Sequence, residues 1–271
     1  MEFSININYF KRGLSLQKAA EYISKAGFSQ LDYTPAVYTD DWKAQMAEAL
    51  KIFKDNGLSV HQTHAPFNRY KSYPSKDFHK LCLDRCAEAT AQMGAKFMVA
   101  HGDEFDFDRW EFTPERALEY NHALYLPYVE NNGGYKVAFE TVFEDMKTKR
   151  RYTSNAEELL SLIRSFNSPH AVCCWDSGHS HVAFKKEAPD IIQKFGKLIQ
   201  CTHIHDNAGN DSHQMPLTGD INWNATADAF RQIGYHGIIS LEYAHGCIPE
   251  QLAKTFINLS YGAVSHIWSA F

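Results

Sequence analysis

The chain has 271 residues, 44% of them hydrophobic, and its 27 basic and 32 acidic residues give a net charge of -5. This length fits one large α/β barrel or two small domains. The acidic balance, with no run of Lys or Arg, argues against a nucleic-acid partner, because such partners are held largely by cationic contacts to phosphate. The N-terminus lacks the features of a signal peptide and no apolar run could span a membrane, so we expect a cytoplasmic protein with no membrane contact.

Short β-type runs alternate with longer helical patterns along the whole chain. The predicted strands are 2–8, 30–33, 59–64, 96–101, 136–141, 171–176, 198–205 and 237–243. The predicted helices span 16–26, 41–56, 76–93, 154–166, 187–197, 224–233 and 249–268, with one more that opens at Thr113-Pro114 and ends before Gly133. Thr at the N-cap followed by Pro is a strong helix start, and Ser154-x-x-Glu157 reads as a capping box.

Eight strands and eight helices in strict alternation predict parallel strands joined by right-handed crossovers. Eight such units over this length predict one closed (β/α)8 TIM barrel, with residues 1–271 as a single domain. No Gly-x-Gly-x-x-Gly follows the first strand, so a dinucleotide-binding sheet is not indicated.

Ionisable side chains gather at the C-terminal ends of the predicted strands, the rim where barrel enzymes place their chemistry. From the third strand to the eighth they are His64, His101, Glu140, Asp176 with His179, His203 with His205, and Glu242. Barrel strands are covered on both faces, so a carboxylate within one is costly unless it is paired or binds a metal.

Four of these residues, Glu140, Asp176, His203 and Glu242, come from successive strands and are predicted to converge on one divalent metal. Three carboxylates and an imidazole suit Mn²⁺, Mg²⁺, Co²⁺ or Zn²⁺, and the sequence does not choose among them. Asp176 could instead cap the turn that follows its strand. His203 and His205 alternate on one strand, and we expect them to point to opposite sides, so that only one faces the site as a ligand and the other is packed or hydrogen-bonded.

Further contacts to metal or substrate are predicted from residues on the same rim and in the polar loop after the seventh strand: His64, His101, His179, Asp211 and His213. Aromatic rings could line the substrate pocket, because sugar C–H faces pack on them. The candidates for this wall are Phe67, Trp110, Trp175 and Trp223, and ordinary core packing is the alternative for each.

The motifs around these residues resemble the xylose-isomerase-like TIM barrels, which include sugar isomerases and epimerases and also endonuclease IV. The resemblance covers nearly the whole chain and is carried by THAPFN at His64, AHGDE at His101, AFET at Glu140, WDSGHSH at Asp176, HIHDNAGNDSHQMPLTGDINW from His203, and SLEY at Glu242. It implies that Glu140, Asp176, His203 and Glu242 hold the metal. In the sugar branch it further implies that the two glutamates act as acid and base and that His179 contacts substrate. In endonuclease IV the same four positions, with those of His64, His101, His179, Asp211 and His213, form a trinuclear zinc site.

The flanking residues favour the sugar branch. The chain has Thr141-Val142-Phe143-Glu144 where endonuclease-IV-like chains usually carry Asn-Thr-Ala-Gly, and residues 215–220 lack their Ser-Leu-Gly-x-Gly. No Arg lies between His203 and Asn224, although ketose 3-epimerases commonly carry one there.

We therefore predict a metal-dependent isomerase or epimerase of a ketose, a sugar phosphate or a related polyol, in which Glu140 and Glu242 exchange the proton. An endonuclease-IV-like zinc phosphodiesterase acting on abasic DNA, an inosose-type dehydratase and a binding barrel without catalysis remain open. By analogy with relatives, a homo-oligomer is also open.

Overall fold

Eight parallel strands alternate with helices along the chain. The structure is a computed structural model that describes residues 1–67, 74–102, 113–130, 133–144, 151–243 and 248–269, without the side chains of residues 11 and 12. The strands are β1 (Phe3–Asn6), β2 (Gln30–Tyr33), β3 (Ser59–His64), β4 (Phe97–Ala100), β5 (Lys136–Glu140), β6 (Ala171–Asp176), β7 (Ile199–His203) and β8 (Ile239–Leu241).

The α-helices within the described ranges pack around these strands. They are α1 (Leu16–Ala26), α2 (Trp42–Asp55), α3 (Lys76–Gln92), α4 (Pro114–Val129), α5 (Ala156–Ser165), α6 (Ser177–Phe184), α7 (Ala188–Phe195), α8 (Trp223–Gln232) and α9 (Glu250–Ile267). Short 3₁₀ turns occupy Ile7–Arg12, Lys185–Glu187 and Gly196–Leu198. None of the helices in these ranges is both long and apolar enough to cross a membrane.

The strands form one sheet that curls back on itself. The order runs from β7 through β6, β5, β4, β3, β2 and β1 to β8. Its two ends meet just beyond β7, where the backbone N–H of Ile204 donates to the carbonyl of Ser240 at 2.7 Å and that of Glu242 donates to the carbonyl of Ile204 at 3.0 Å. The predicted fold class, a (β/α)8 TIM barrel, is therefore confirmed.

The barrel interior has an apolar layer directly beneath the polar residues of interest. This layer is a separate buried cluster of Phe97, Val99, Ala138, Val172, Cys174 and Cys201. Side chains two residues apart on a strand share a face. On three of these strands, the residue two positions after Ala138, Cys174 or Cys201 therefore also points into the barrel. Those residues are Glu140, Asp176 and His203. Their side chains therefore lie directly above the apolar layer inside the barrel.

Two local details differ from the sequence prediction. The N-cap of α5 is Asn155, whose side chain accepts from the N–H of Glu158 at 2.9 Å, so the helix begins one residue later than the predicted capping box places it. Glu158 in turn accepts from the N–H of Thr153 at 3.1 Å. The helix α6, immediately after β6, was not predicted at all, whereas the predicted helix start at Thr113 is confirmed by its side-chain cap.

Candidate metal centre

The structure brings together the four residues predicted to bind the metal. Glu140 and His203 end β5 and β7, Asp176 ends β6, and Glu242 lies one residue beyond β8. Each offers one ligand atom, and these four atoms all lie within 4.8 Å of one another. Glu242 is 7% exposed and the other three are fully buried, so the group is shielded from solvent.

His203 is oriented by a carboxylate on the opposite side of its ring. Its Nε2 lies 2.9 Å from Oδ2 of Asp32, a buried residue of β2 that the sequence analysis did not single out. An ionised carboxylate only accepts, so Nε2 carries a proton, and a ring that binds a metal would be neutral and would present the lone pair of Nδ1 to it. A carboxylate behind an imidazole in this way is the usual support of a metal-binding histidine.

The nitrogen that His203 presents faces two carboxylates. Its Nδ1 is 3.1 Å from Oε1 of Glu140 and 3.2 Å from Oε2 of Glu242. Neither this Nδ1 nor Oε1 of Glu140 has a hydrogen-bond partner within the described part of the chain. Lone pairs that face one another in a buried site require a positive charge between them, either a proton or a metal ion. The residues present therefore fit a divalent ion.

The pKa values of His203, Glu140 and Glu242 also indicate that positive charge is favoured between them. Burial alone would lower the pKa of His203, but Glu242 and Glu140 raise it well above its ordinary value. Burial would raise the pKa of Glu140, yet His203 and His101 hold it well below the ordinary value. Burial raises the pKa of Glu242, although His203 acts in the opposite direction. The pKa of Glu140 is thus lowered and that of Glu242 is raised.

Asp176 caps a helix and also lies within the candidate ligand group, two arrangements that the sequence left as alternatives. Its Oδ1 accepts from the N–H of His179 at 2.6 Å and so caps α6. Its carboxylate also belongs to the group of four and lies 3.0 Å from Nε2 of His205. The cap fixes the carboxylate, because the helix that it starts packs beside β6.

The predicted His64 and His101 both reach Glu140. Nε2 of His64 lies 3.1 Å from Oε2 of Glu140, and Nε2 of His101 lies 2.9 Å from the same oxygen. His64, Glu140 and His203 form a further set of atoms close enough to hold an ion. On its other side, Nδ1 of His101 lies 3.2 Å from the guanidinium of Arg151. Burial lowers the pKa of His101 to about 3.

A second group of metal-competent residues lies beside the first. His179, His205, Asp211 and His213 each bring a ligand atom within 4.8 Å of the others. Nε2 of His213 and of His179 lie 3.2 and 3.7 Å from Oδ1 of Asp211. Burial would raise the pKa of Asp211, but His179 and His213 lower it.

The expectation that only one of His203 and His205 faces the site is wrong. Residues two apart along a strand point the same way, so both imidazoles lie on the inner side of the barrel. His205 is fully buried and its ring stacks on that of His213, with centroids 3.9 Å apart. It therefore belongs to the second group rather than to the packing behind β7.

The predicted aromatic wall is brought to the site only in part. Phe67 is 40% exposed, and its ring stacks on that of His101 with centroids 4.5 Å apart. Trp175 lies on the opposite face of β6 from Asp176 and packs against Phe184. The structure thus places Trp175 in the layer between strands and helices.

The other two tryptophans of that prediction are not brought to the ligand group either. Trp223 donates from Nε1 to Oδ2 of Asp206 at 2.8 Å, and its ring packs against Trp268. Trp110 lies outside the described residues. Core packing, the alternative stated for each ring, is what Trp175 and Trp223 show.

Two residues of the site were missed from the sequence. Asp32 could have been found, because a carboxylate in the middle of the predicted strand QLDY is as costly as Glu140 in its own strand. Arg151 could not be found in the same way, since it lies outside the strands and helices, where the sequence pattern does not predict side-chain positions.

A closed barrel of eight parallel strands whose rim gathers carboxylates and imidazoles defines the class of this protein. The sequence matches the xylose isomerase-like TIM barrel family over residues 20–259. The chain belongs to this family. A relative from Sinorhizobium fredii (strain NBRC 101917 / NGR234), the uncharacterized protein y4fM, is 23% identical over 268 residues, covering 84% of this chain and 80% of that protein.

Solved structures share the whole fold at low identity. A D-psicose 3-epimerase crystallised in the presence of D-fructose superimposes with a TM-score of 0.76 at 15% identity and covers 99% of both chains. The IolI protein with a bound zinc atom superimposes with a TM-score of 0.75 at 18% identity, covering 100% of this chain and 99% of that one. At such identities the likeness shows the fold alone.

Proposed function

We propose that this protein is a divalent-metal-dependent isomerase or epimerase acting on a ketose, a sugar phosphate or a related polyol. The observation that carries the proposal is the position of Glu140 and Glu242, whose carboxylate oxygens lie 3.1 and 3.2 Å from Nδ1 of His203. The names of the structural neighbours, among them a D-psicose 3-epimerase and an L-ribulose 3-epimerase, support a sugar as the substrate.

Glu140, Asp176, His203 and Glu242 would hold the ion, and Mn²⁺, Zn²⁺, Mg²⁺ and Co²⁺ all suit this ligand set. When bound, the ion supplies Lewis-acid polarisation of a sugar carbonyl, which acidifies the neighbouring C–H. The zinc atom bound by the IolI neighbour supports a metal in this protein without choosing which one.

The two glutamates would move the proton. One takes a proton from the acidified carbon. The other gives a proton to the opposite face of that carbon, which yields an epimer, or to the neighbouring carbonyl carbon, which together with proton transfer between the two oxygens yields an aldose–ketose shift. The pKa values of the two carboxylates shift in opposite directions in the metal-free site, so their environments differ. Paired carboxylates in different environments can serve as acid and base at one pH. Such proton transfer contributes about 10²–10⁴-fold to the rate.

Other rim residues would orient the sugar. His179 points its Nε2 toward Asp211 and could share a substrate hydroxyl with it. The half-exposed ring of Phe67 offers an apolar surface beside His101 for the C–H face of a sugar.

The test is solvent-proton exchange in D₂O across a panel of ketoses. The wild-type protein loaded with Mn²⁺ or Zn²⁺ should incorporate deuterium at the carbon next to the carbonyl of its substrate. Glu140→Gln and Glu242→Gln should each lose about 10²–10⁴-fold of this rate while remaining folded. Glu119→Gln, on the exposed face of α4, is the matched control. Full activity in either site variant would refute the acid–base assignment.

The second ligand group favours one alternative, a phosphodiesterase of the endonuclease IV kind. His179, His205, Asp211 and His213 form a second set of ligand atoms that could hold an additional ion, as such an enzyme would need. Cleavage of abasic-site DNA by the zinc-loaded protein, together with no deuterium exchange on any ketose, would establish it over the sugar reaction.

A further inference from the structure

The site histidines share a pattern of support behind the ring. In a metal-binding histidine, the nitrogen that does not face the metal donates its N–H to an acceptor. Nδ1 of His64 lies 2.8 Å from the carbonyl of Ala65, and Nδ1 of His179 lies 3.0 Å from the carbonyl of Thr141. Because a carbonyl can only accept, the proton sits on Nδ1 and the nitrogen facing the site is left for a cation. The histidines supported by a carbonyl are His64, His179, His205 and His213, and His203 is supported by Asp32.

His101 has the opposite arrangement. Behind its ring, Nδ1 lies 3.2 Å from a guanidinium nitrogen of Arg151. A guanidinium has no acceptor and stays protonated, so Nδ1 must accept and cannot carry a proton. The ring is therefore neutral with its proton on Nε2, and that nitrogen lies 2.9 Å from Oε2 of Glu140. One protonation state satisfies both contacts.

The pair is buried and held in place. Arg151 is 3% exposed and His101 5% exposed. The guanidinium also lies 5.6 Å from the ring centroid of Phe143, the residue three positions beyond Glu140. On the far side of His101, the hydroxyl of Tyr125 donates to its backbone carbonyl at 2.8 Å. A ring fixed at backbone and side chain has little freedom to turn and offer a lone pair to the site.

We propose that Arg151 fixes His101 as a hydrogen-bond donor to Glu140 and thereby excludes His101 from the metal ligands. Arg151 is then a positioning residue: it sets the tautomer that ties down Oε2 of Glu140, while Oε1 stays directed at Nδ1 of His203. This inference rests on the proposed function for the role of Glu140. It also predicts that a trinuclear site using His101 does not form in this protein.

The test reads the tautomer directly, by long-range ¹H–¹⁵N correlation spectra of the full chain labelled with ¹⁵N-histidine. The His101 signals are assigned by their loss in His101→Gln. In the wild type, His101 should be in the Nε2–H form without metal and should keep that proton when Zn²⁺ is added, whereas Nδ1 of His203 should shift. An Nδ1–H tautomer, or loss of the Nε2 proton on adding Zn²⁺, would overturn the inference.

Substitution tests whether Arg151 is the cause. In Arg151→Met, His101 should no longer be held in the Nε2–H form. The value of kcat should fall about 10-fold or more with a smaller change in KM, as loss of a residue that supports a ligand commonly does. Arg164→Met, at the exposed end of α5, is the control and should leave His101 unchanged. Retention of the Nε2–H form in Arg151→Met would show that Arg151 does not set it.

Apart from His101→Gln, which serves only to assign the signals, this test uses the wild-type protein, and it needs no substrate. The proposed sugar reaction could fail in every turnover assay while His101 still shows the tautomer expected here. Conversely, if the protein is an active epimerase but His101 loses its Nε2 proton when zinc is added, the proposed function stands and this inference is wrong.

Discussion

Asp32 determines which nitrogen of His203 faces the glutamates. The carboxylate accepts from Nε2 at 2.9 Å, which leaves Nδ1 as the lone pair 3.1 Å from Glu140. This support lies on β2, a strand that carries none of the four proposed ligands. The tautomer of the ligand is thus set by a residue that need not touch the metal.

Replacing this support tests its effect on metal affinity. Asp32→Asn can turn its amide N–H₂ toward Nε2, which favours the tautomer whose proton blocks Nδ1. We expect the affinity for Zn²⁺ to fall about 10–100-fold, measured by competition with a chromogenic chelator. Asp228→Asn, on the exposed face of α8, should bind Zn²⁺ as the wild type does. Equal affinities in the two variants would contradict this role for Asp32.

The residues at the strand ends could be predicted from sequence because a charged side chain in a buried strand is expensive. Glu140 and Glu242 stand out for this reason, and the same reasoning applies to Asp32. Arg151 could not be placed, because the contact with His101 depends on the path of a loop. His205 was misjudged through the spacing of two residues on a strand, which puts it on the same face as His203.

At the scale of single elements, α6 is fitted tightly against the residues that follow β7. A Cβ atom added at Gly178 would lie 1.9 Å from Cε1 of His205. The helix could not be found from its sequence, SGHSHVAF, because eight residues with Gly and Ser at the start show little apolar periodicity. Its start is fixed instead by the Asp176 cap.

The same substitution in two helices should therefore have opposite effects. Gly178→Ala must displace the buried ring of His205 and should lower the free energy of unfolding by about 1–3 kcal/mol. Gly262→Ala, in α9 with nothing near the added carbon, should raise it by about 0.5–1 kcal/mol. Urea denaturation curves give both values. A Gly178→Ala protein as stable as the wild type would show that α6 and His205 are not packed this closely.

At the scale of the whole molecule, the barrel is closed partly by a side chain. Between β7 and β8 the hydroxyl of Thr202 accepts from the N–H of Ser240 at 3.0 Å and donates to the carbonyl of Ile238 at 3.3 Å. Eight alternating units predict a closed barrel from sequence, because few topologies satisfy that order. How the last strand meets the seventh depends on side-chain contacts that no local pattern reveals.

Removing the hydroxyl tests this closure. Thr202→Val keeps the shape of the side chain but leaves the buried N–H of Ser240 without its acceptor, so the free energy of unfolding should fall by about 1–3 kcal/mol. Thr202→Ser keeps the acceptor and should lose less. If chemical denaturation finds the Val variant at least as stable as the Ser variant, the side chain does not contribute to closing the barrel.

The central claim is that this barrel holds a divalent ion between Glu140, Asp176, His203 and Glu242. Elemental analysis of protein purified without chelator or added metal tests it most directly. We expect about one tightly held Mn, Zn, Mg or Co per chain, lost in His203→Ala and kept in His170→Ala, whose ring lies exposed ahead of β6. A wild-type protein that contains no such metal, and takes up none when Mn²⁺ or Zn²⁺ is supplied, would contradict the account.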